Sequence, residues 1–287
     1  MGFLLQSILN GILAGCIYAL FAMGLTLVYG VLNFVNFAHG ELLMWGAYFL
    51  YLLMAKPIGL PLVIALGPAL LLTVLLGLGT DWVVFKPLRR ANRSALLIAA
   101  LGLSFFLRNG AQLIWGAEIR TYGFEIKRGY RFSGVSITAN QVAIILVSIG
   151  CVFFLYVLFH RSRLGKSMRA ISDSLELARV VGIHSKQAIR ATWIIASALA
   201  GVGGILLALD TNLHPSMGLI NLVKAFAATL LGGVGNLWGA LLGGLLIGLA
   251  ENLGVLILSP GYKDAIAFGI MVVMLLIRPS VLLGDRE

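Results

Sequence analysis

The sequence is built from long apolar segments separated by short polar stretches, and this pattern restricts the fold more than any single motif does. A helix needs about 20 mainly apolar residues to cross the hydrocarbon core of a bilayer. The segments predict about eight or nine membrane spans, because the interrupted pair after residue 218 can cross once or twice. They cover residues 4–29, 42–54, 60–85, 95–115, 142–159, 191–209, 219–234, 237–258 and 265–277.

Composition supports the same class of protein. The 287 residues are 60% hydrophobic and only 11% charged, which is too little polar surface for a soluble globule of this size. The 35 glycines favour helices over a transmembrane barrel, because small residues let membrane helices approach closely. We therefore predict an all-α integral membrane protein, a polytopic helical bundle in which residues 1–287 form a single transmembrane domain.

The formal net charge of +10 is explained by membrane topology, without a nucleic-acid partner. Basic residues are enriched in cytoplasmic loops, so two basic loops are predicted to be cytoplasmic and residues 116–140 external. Both cysteines, Cys16 and Cys151, lie in apolar runs, and we predict neither a disulfide nor a metal site. The basic loops contain Lys86, Arg89, Arg90 and Arg93 and, further on, Arg161, Arg163, Lys166, Arg169, Arg179, Lys186 and Arg190.

Two polar or glycine-rich breaks interrupt the apolar pattern. A charged side chain inside the bilayer is costly, so such residues normally face protein or a water-filled cavity. Broken helices in both halves of a transporter indicate the substrate path. The breaks predict a translocation path, and hydrogen bonding between helices remains the alternative for the first. The candidate residues are Asn33, Asn36, His39 and Glu41 in the first break, and Gly232, Gly233, Gly235 and Asn236 in the second.

Glycines also recur every fourth residue beside the second break. Gly235, Gly239 and Gly243 form one series, and Gly244 and Gly248 form another. This spacing predicts a helix that offers a smooth groove to a neighbouring helix at close backbone distance.

A short amphipathic helix is predicted at residues 164–182, in the second basic loop. Leu164, Met168, Ile171, Leu175 and Ala178 recur at helical spacing, and Gly182 is suited to the C-cap. Such a helix can lie on the lipid surface or dock onto a cytoplasmic partner, and periodicity does not choose between them.

Enzyme motifs do not account for this chain. Gly165-Lys166-Ser167 resembles the end of a phosphate-binding loop, but His160 occupies the position of the required earlier glycine. Three histidines, His160, His184 and His214, have no clustered cysteine or carboxylate at ligand spacing. We predict no catalytic residues, no metal and no cofactor in this chain.

Four motifs in order resemble one family. They are NFVNFAHGE (33–41), LGKSMRA (164–170), ARVVGI (178–183) and LGGVGN (231–236). Together they resemble the membrane permeases of ATP-binding-cassette importers for branched-chain and neutral amino acids, specifically the permease with short termini.

The resemblance implies a subunit of an ATP-driven importer in a bacterial cytoplasmic membrane. Its implied partners are a second homologous permease, two cytoplasmic ATPase subunits that bind ATP and Mg²⁺, and an external amino-acid-binding protein. It also implies that the cytoplasmic helix couples the chain to the ATPase, and that substrate contacts along the path are weak. The implied coupling residues are Leu164, Gly165, Met168, Arg169, Ala170, Ile171, Leu175, Ala178 and Gly182.

Two other classes of function are compatible with parts of this sequence. A secondary transporter could use Glu41 or His39 to carry a coupling proton. A structural membrane protein would explain the glycine-rich helices, but it would not explain the polar break and the cytoplasmic helix together.

Overall fold

The computed structural model describes residues 2–32, 34–56, 58–89, 91–123, 129–132 and 135–277. Within these ranges nearly all regular structure is helical, and the predicted all-α fold class is confirmed. The main helices are α1 (Gly2–Leu32), α2 (His39–Met54), α3 (Leu62–Thr80), α4 (Lys86–Leu88), α5 (Arg93–Trp115), α6 (Ala139–Arg161), α7 (Arg163–Asp173), α8 (Leu175–Val180), α9 (Ser185–Asp210), α10 (Met217–Gly232), α11 (Leu237–Gly254) and α12 (Lys263–Ile277). A π-helical turn, Asp81–Phe85, joins α3 to α4, and a 3-10 turn, Pro260–Tyr262, precedes α12.

Seven helices of the described chain are long and apolar enough to cross a membrane. The predicted count of about eight or nine treated segments 42–54 and 219–234 as candidate spans. In the structure these segments form α2 and α10, which have 16 residues each. A 16-residue helix is about 24 Å long, which is shorter than the hydrocarbon core.

Two long helices, α1 and α9, form the centre of the bundle. In their most apolar stretches 83% and 72% of the residues are buried, against 22% for residues 62–88 and for α6. The outer helices α3, α5, α6 and α12 therefore present apolar faces to their surroundings, as expected of a protein whose solvent is lipid.

Small residues allow α1 and α11 to pack antiparallel at close distance. A Cβ added at Gly15 would lie 2.8 Å from the Leu245 Cα, and one added at Gly11 would lie 3.0 Å from the Leu249 Cα. Gly244 and Gly248 face α1 in return, whereas Gly239 and Gly243 face α10. The predicted glycine groove on α11 therefore packs against two neighbouring helices.

The cytoplasmic segment differs from the single helix predicted at 164–182. It forms two helices, α7 and α8, because Ser174 adopts an extended conformation between them. The Ser174 hydroxyl accepts a hydrogen bond from the Leu177 backbone N–H at 3.3 Å, which caps α8. Gly182, with φ of 83°, follows α8 in the left-handed conformation that favours glycine.

A small antiparallel hairpin lies on the side predicted to be external. It pairs β1 (Tyr130–Phe132) with β2 (Val135–Ile137). The Gln6 side chain accepts a hydrogen bond from the Ser136 backbone N–H at 2.9 Å, which fastens the hairpin to the start of α1.

Candidate functional site

The first break returns the chain into the membrane interior. Residue Asn33 lies outside the described residues, and α2 begins at His39. The His39 ring stacks on Phe21 with ring centroids 5.1 Å apart, and its Nε2 lies beside Gly24, eight residues before the end of α1. The N-terminus of α2 therefore lies at depth within the bundle, and the rest of α2 runs toward the external side.

The start of α2 crosses the start of α10 at two glycines. A Cβ added at Gly40 would lie 2.6 Å from the Gly218 carbonyl oxygen, and one added at Gly218 would lie 2.6 Å from the Gly40 carbonyl oxygen. We call this contact the glycine crossing. Side chains larger than hydrogen do not fit there unless the backbones separate. Two helix N-termini, each carrying partial positive charge, thus lie close together inside the bundle.

Glu41 supplies negative charge at this crossing. Its Oε1 accepts hydrogen bonds from the Ser104 hydroxyl and from Arg108 Nη2, each at 2.8 Å. Its Oε2 would lie 2.9 Å from a Cβ at Gly218 and has no hydrogen-bond partner among the described residues. The carboxylate is fully buried, in the first turn of α2, where an anion is favourable to the helix dipole. Glu41 therefore connects α2, α5 and α10.

The other polar groups of this break are also enclosed. Asn36 Oδ1 accepts a hydrogen bond from the Ala38 backbone N–H at 3.1 Å, which shapes the turn before α2. Asn36 Nδ2 has no hydrogen-bond partner within the described chain. The side chains of Asn36 and His39 are both fully buried. In this conformation Asn36, His39 and Glu41 are packed residues of the bundle interior.

The second break is an open turn. Gly233 and Gly235 have φ of 89° and 87°, a region that costs other residues about 1–2 kcal/mol. Added Cβ atoms at these two positions would meet no atom within 4 Å. Asn236 Oδ1 accepts hydrogen bonds from the backbone N–H groups of Trp238 and Gly239, each at 3.1 Å, and so caps α11. Gly232 differs from them, because its missing side chain lets α10 pack on the Gly239 backbone.

The two breaks lie at opposite ends of α10. The crossing contains Gly218 near its start, and the turn begins at Gly232, its last residue. Over a 16-residue helix this separation is roughly 20 Å. The two breaks can therefore flank one path only if that path runs along α10, because α10 connects them along its length.

A cavity of about 480 Å³ lies beside the second break, on the side predicted to be cytoplasmic. We call it the cytoplasmic cavity. Its walls come from the end of α1, the end of α6, α7 and the turn before α11, so the structure brings a break and the predicted coupling segment together. Representative wall residues are Val31, Phe159, Met168, Arg169, Gly235 and Asn236.

The apolar stripe of the predicted coupling helix faces this chain's own bundle. Met168 and Ile171 are each 1% exposed and Ala178 is 4% exposed. Gly165 is buried too, because a side chain there would overlap the Leu158 carbonyl. These side chains hold α7 and α8 to the bundle, so they are not available to a partner in this conformation. Of the remaining predicted coupling residues, Leu164, Arg169 and Gly182 are exposed and Ala170 is partly buried, whereas the side chain of Leu175 lies outside the described part of the chain.

A different apolar surface is exposed on the same segment. Leu177, Val180 and Val181 are 68%, 86% and 79% exposed. We call these three residues the α8 patch. Sequence periodicity missed it because it assigned the apolar residues to one stripe. The sequence did contain an indication of this surface, because Val180 and Val181 are apolar but do not belong to that stripe.

Sequence reasoning also missed a buried ionic network between α1, α10, α11 and α12. Lys224 Nζ lies 3.1 Å from Glu251 Oε1 and 2.7 Å from Asp264 Oδ1. The Tyr18 hydroxyl donates to Glu251 Oε2 at 2.8 Å and accepts from Lys224 at 3.0 Å. Lys224 and Glu251 are charges inside apolar segments, so they were visible in the sequence as candidates. Arg108, the partner of Glu41, was visible in the same way.

On the predicted external side, the segment after α5 is fastened to α2 and to the α9–α10 connection. Arg120 Nη1 donates to the Tyr51 hydroxyl at 2.9 Å, and this hydrogen bond raises the pKa of Arg120. Arg120 and Leu213 exchange backbone hydrogen bonds of 2.8 Å each. The Tyr122 hydroxyl donates to the Ala47 carbonyl at 3.0 Å, and burial raises the pKa of Tyr122. The far end of α2 is thus tied to the outer surface.

The family model and the two sequence relatives described below agree on one family. The family model described as "Branched-chain amino acid transport system / permease component" matches residues 7–275. The "High-affinity branched-chain amino acid transport system permease protein BraD" of Pseudomonas aeruginosa is 37% identical, over 99% of this chain and 96% of the relative. Its counterpart LivH of Escherichia coli is 34% identical, over 99% and 97%. The solved structure "PsaBC from Streptococcus pneumoniae in complex with Fab" has a TM-score of 0.48 at 15% identity, over 99% of this chain and 90% of the other.

Proposed function

Because this chain belongs to the family of branched-chain amino acid transport permeases, we propose that it is the membrane permease subunit of an ATP-driven importer of branched-chain amino acids. The observation that carries the proposal is the match of almost the whole chain to permeases of that description. The resemblance read from the four sequence motifs is confirmed. A proton-coupled mechanism through Glu41 or His39 has no support from these relatives, and Glu41 is engaged by Arg108.

The proposal includes partners that this chain needs for activity. ATP hydrolysis takes place on two separate ATPase subunits that hold ATP and Mg²⁺. A second homologous permease completes the path, and an external binding protein delivers the amino acid. The assembly lies in a bacterial cytoplasmic membrane.

We assign the path to the length of α10, between the glycine crossing and the turn at Gly233–Asn236. At the crossing, two helix N-termini would favour the carboxylate of an amino acid, but Glu41 already provides an anion there. Because Glu41 occupies the position that would attract the carboxylate of a substrate, we infer that substrate contacts at the crossing are weak. Selection of the amino acid then takes place in the external binding protein.

We assign ATPase docking to the α8 patch instead of the apolar stripe on α7. Exposed apolar residues beside charged ones are typical of protein interfaces, and Glu176 and Arg179 flank the patch. The buried residues Met168 and Ile171 then transmit the movement, because they join α7 to the bundle. Closure of the ATPase dimer thereby shifts α7 and α8 as a unit against α1 and α6.

The test of function is uptake by the reconstituted assembly. Proteoliposomes that hold both permeases and the ATPase should accumulate leucine, isoleucine or valine when ATP is enclosed and loaded binding protein is outside. Uptake should persist after the proton gradient is dissipated. Accumulation by this chain alone under a proton gradient, or no uptake of any branched-chain amino acid by the full assembly, would overturn the proposal.

The test of docking uses charge at the patch. Leu177→Asp and Val180→Asp should reduce co-purification of the ATPase at least tenfold, because a carboxylate would be buried against an apolar surface. Ile119→Asp is the matched control, since Ile119 is 69% exposed on the predicted external side. ATPase capture by both patch variants at the level of the Ile119 control would exclude the α8 patch.

A further inference from the structure

The outward side of α5 differs from that of the other outer helices. Between the end turns of α3, α6 and α12, the exposed residues are apolar, apart from Tyr156 near the cytoplasmic end of α6. Helix α5 instead exposes the amide of Asn109. Because α5 has 23 residues, it is about 34 Å long and can cross the whole hydrocarbon core. Asn109 lies about 9 Å along the axis from its last residue, Trp115, and is therefore at a depth where lipid tails offer an amide no partner.

The Asn109 amide is only partly satisfied within its own chain. Its Nδ2 donates to the Phe105 carbonyl oxygen at 2.7 Å, one turn earlier on the same helix. No other hydrogen bond joins this amide to the described residues, which leaves Oδ1 and the second N–H of Nδ2 available. In membranes, such amides usually form hydrogen bonds with a polar side chain of a neighbouring helix. The position of Asn109 therefore indicates that protein, and not lipid, covers this part of α5.

Asn109 is at the centre of a continuous outward face of α5. Ile98, Gly102, Phe105 and Leu113 lie on the same side at three- and four-residue spacing, and all are exposed. We call these five residues the α5 face. A Cβ added at Gly102 would meet no atom within 4 Å, so the chain does not need this glycine for its own packing. An amide and a small residue on one apolar face are typical of contacts between membrane helices.

The α5 face lies next to the glycine crossing. Arg108, the residue before Asn109, donates to Glu41 at the crossing, and its guanidinium lies 5.5 Å from the centroid of the Phe105 ring. A protein that covers the α5 face therefore stands beside the crossing, where the path along α10 begins. The second permease is the partner that the proposed function requires at the path.

We propose that the α5 face is a contact surface for the second permease, and that Asn109 forms a hydrogen bond with a polar side chain of that partner. This inference rests on the proposed function, which supplies the partner but not the surface. The contact satisfies the Asn109 amide at membrane depth. Because α5 also carries Arg108, one helix then joins the partner to Glu41 at the crossing.

The first experiment maps the neighbours of the α5 face in the assembled importer. Benzoylphenylalanine, a photoreactive residue, replaces Phe105 or Leu113 in membranes that hold both permeases and the ATPase, with the two permeases tagged differently. Illumination should yield a covalent product with the second permease. Phe153 on α6 and Phe268 on α12 are the matched control positions, since they are 66% and 52% exposed, against 57% for Phe105. Neither control should yield this product.

The second experiment changes the amide. Asn109→Leu should lower the recovery of the second permease with this chain about threefold or more, because it removes the hydrogen bond between the helices. Asn109→Gln keeps an amide and should recover part of this loss. Lipid at this position predicts the opposite sign, because leucine is more favourable than asparagine in hydrocarbon. Asn109→Leu would then unfold at a higher temperature than wild type and retain the second permease in full.

A pair of glycine variants tests the shape of the contact. Gly102→Leu adds bulk to the α5 face and should reduce recovery of the second permease, whereas Gly150→Leu on α6 should not. The two glycines are matched, because a Cβ added at either would meet no atom within 4 Å of its own chain. Both variants should therefore fold as well as wild type, which thermal unfolding of the separately purified chains measures.

These experiments separate the α5 face from the proposed function. Uptake by the wild-type assembly with no protein product from position 105 or 113, or with equal product from the control positions, would overturn the α5 face alone. Product with a second copy of this chain in place of the second permease would overturn the assigned partner. Full recovery of the second permease by both Asn109→Leu and Gly102→Leu would also exclude this surface. Wild-type chain that captures no second permease would instead contradict the proposed function, and with it the inference.

Discussion

The glycine crossing and the turn at Gly233–Asn236 have similar sequence signals but different physical characters. At the crossing, Gly40 and Gly218 are needed for space, since each faces the other's carbonyl oxygen. At the turn, Gly233 and Gly235 are needed for backbone conformation, since their surroundings are open and their φ angles are positive. The polar residues of the first break are buried, whereas Asn236 is exposed.

The two breaks can therefore change shape to different extents. A tight backbone contact inside the bundle separates all at once or stays closed, because packed interiors resist gradual deformation. A turn with open surroundings tolerates small rotations. We therefore expect the crossing to act as a fixed contact and the turn to absorb movement of α7.

The largest effect should come from a side chain at the crossing. Gly40→Val and Gly218→Val should each prevent formation of monodisperse protein, because the contacted atoms are backbone and cannot rotate away. The measurement is size-exclusion chromatography after detergent extraction. Gly102→Val is the control, since a Cβ at Gly102 would meet no atom within 4 Å. A monodisperse Gly40→Val variant with the thermal stability of wild type would contradict the tight crossing.

The next effect concerns the charge pair that holds the crossing. Arg108→Met should destabilise the protein by about 3 kcal/mol, because it leaves the fully buried Glu41 carboxylate without its countercharge. The double variant Glu41→Gln with Arg108→Met should recover at least half of this loss. Thermal or denaturant unfolding of the solubilised protein measures both. Equal stabilities of the single and double variants would show that the pair does not couple α2 to α5.

Substitutions at the turn should cost less. Gly235→Ala should destabilise the protein by about 1–2 kcal/mol, because only the positive φ opposes an added methyl group. Gly235→Asn should cost less than Gly235→Ala, since asparagine tolerates this conformation better. Unfolding curves compare the two variants. If Gly235→Val still assembles with the ATPase but no longer supports uptake, the turn also belongs to the path.

The smallest effect should come from the cap of α11. Asn236→Ala removes the oxygen that accepts from Trp238 and Gly239 and should cost about 1 kcal/mol. Asn236→Asp keeps an acceptor at the helix N-terminus and should be close to neutral. Equal losses for both variants would mean that Asn236 acts through a contact other than capping.

Much of the fold could be predicted from the sequence. The membrane class, the helices and the glycine packing on α11 followed from composition and spacing, because lipid leaves few alternatives to a helix. The two short helices were visible as short apolar segments next to breaks. The spacing of residues in the sequence could not predict the contact between Gly40 and Gly218. These two glycines are far apart in the chain, and only the tertiary packing of the helices brings them together.

The candidate site could be predicted only in part. Periodicity found the amphipathic character of residues 164–182 but not its direction, since an apolar stripe can face the bundle or a partner equally well. The structure shows Met168 and Ile171 turned inward, with the α8 patch exposed. Likewise, Lys224 and Glu251 were recognisable as buried charges, but their pairing with Tyr18 and Asp264 depends on the tertiary arrangement.

The glycine crossing also limits how this chain can vary. At most packing contacts, one residue can become larger if its neighbour becomes smaller. Gly40 and Gly218 already lack a side chain, so neither can become smaller. An accepted change at either position must therefore move a backbone instead of finding a compensating substitution. Insertions and deletions in α2 and α10 are then expected beyond their first turns, with the crossing as the common reference point from which the two 16-residue helices extend to opposite faces.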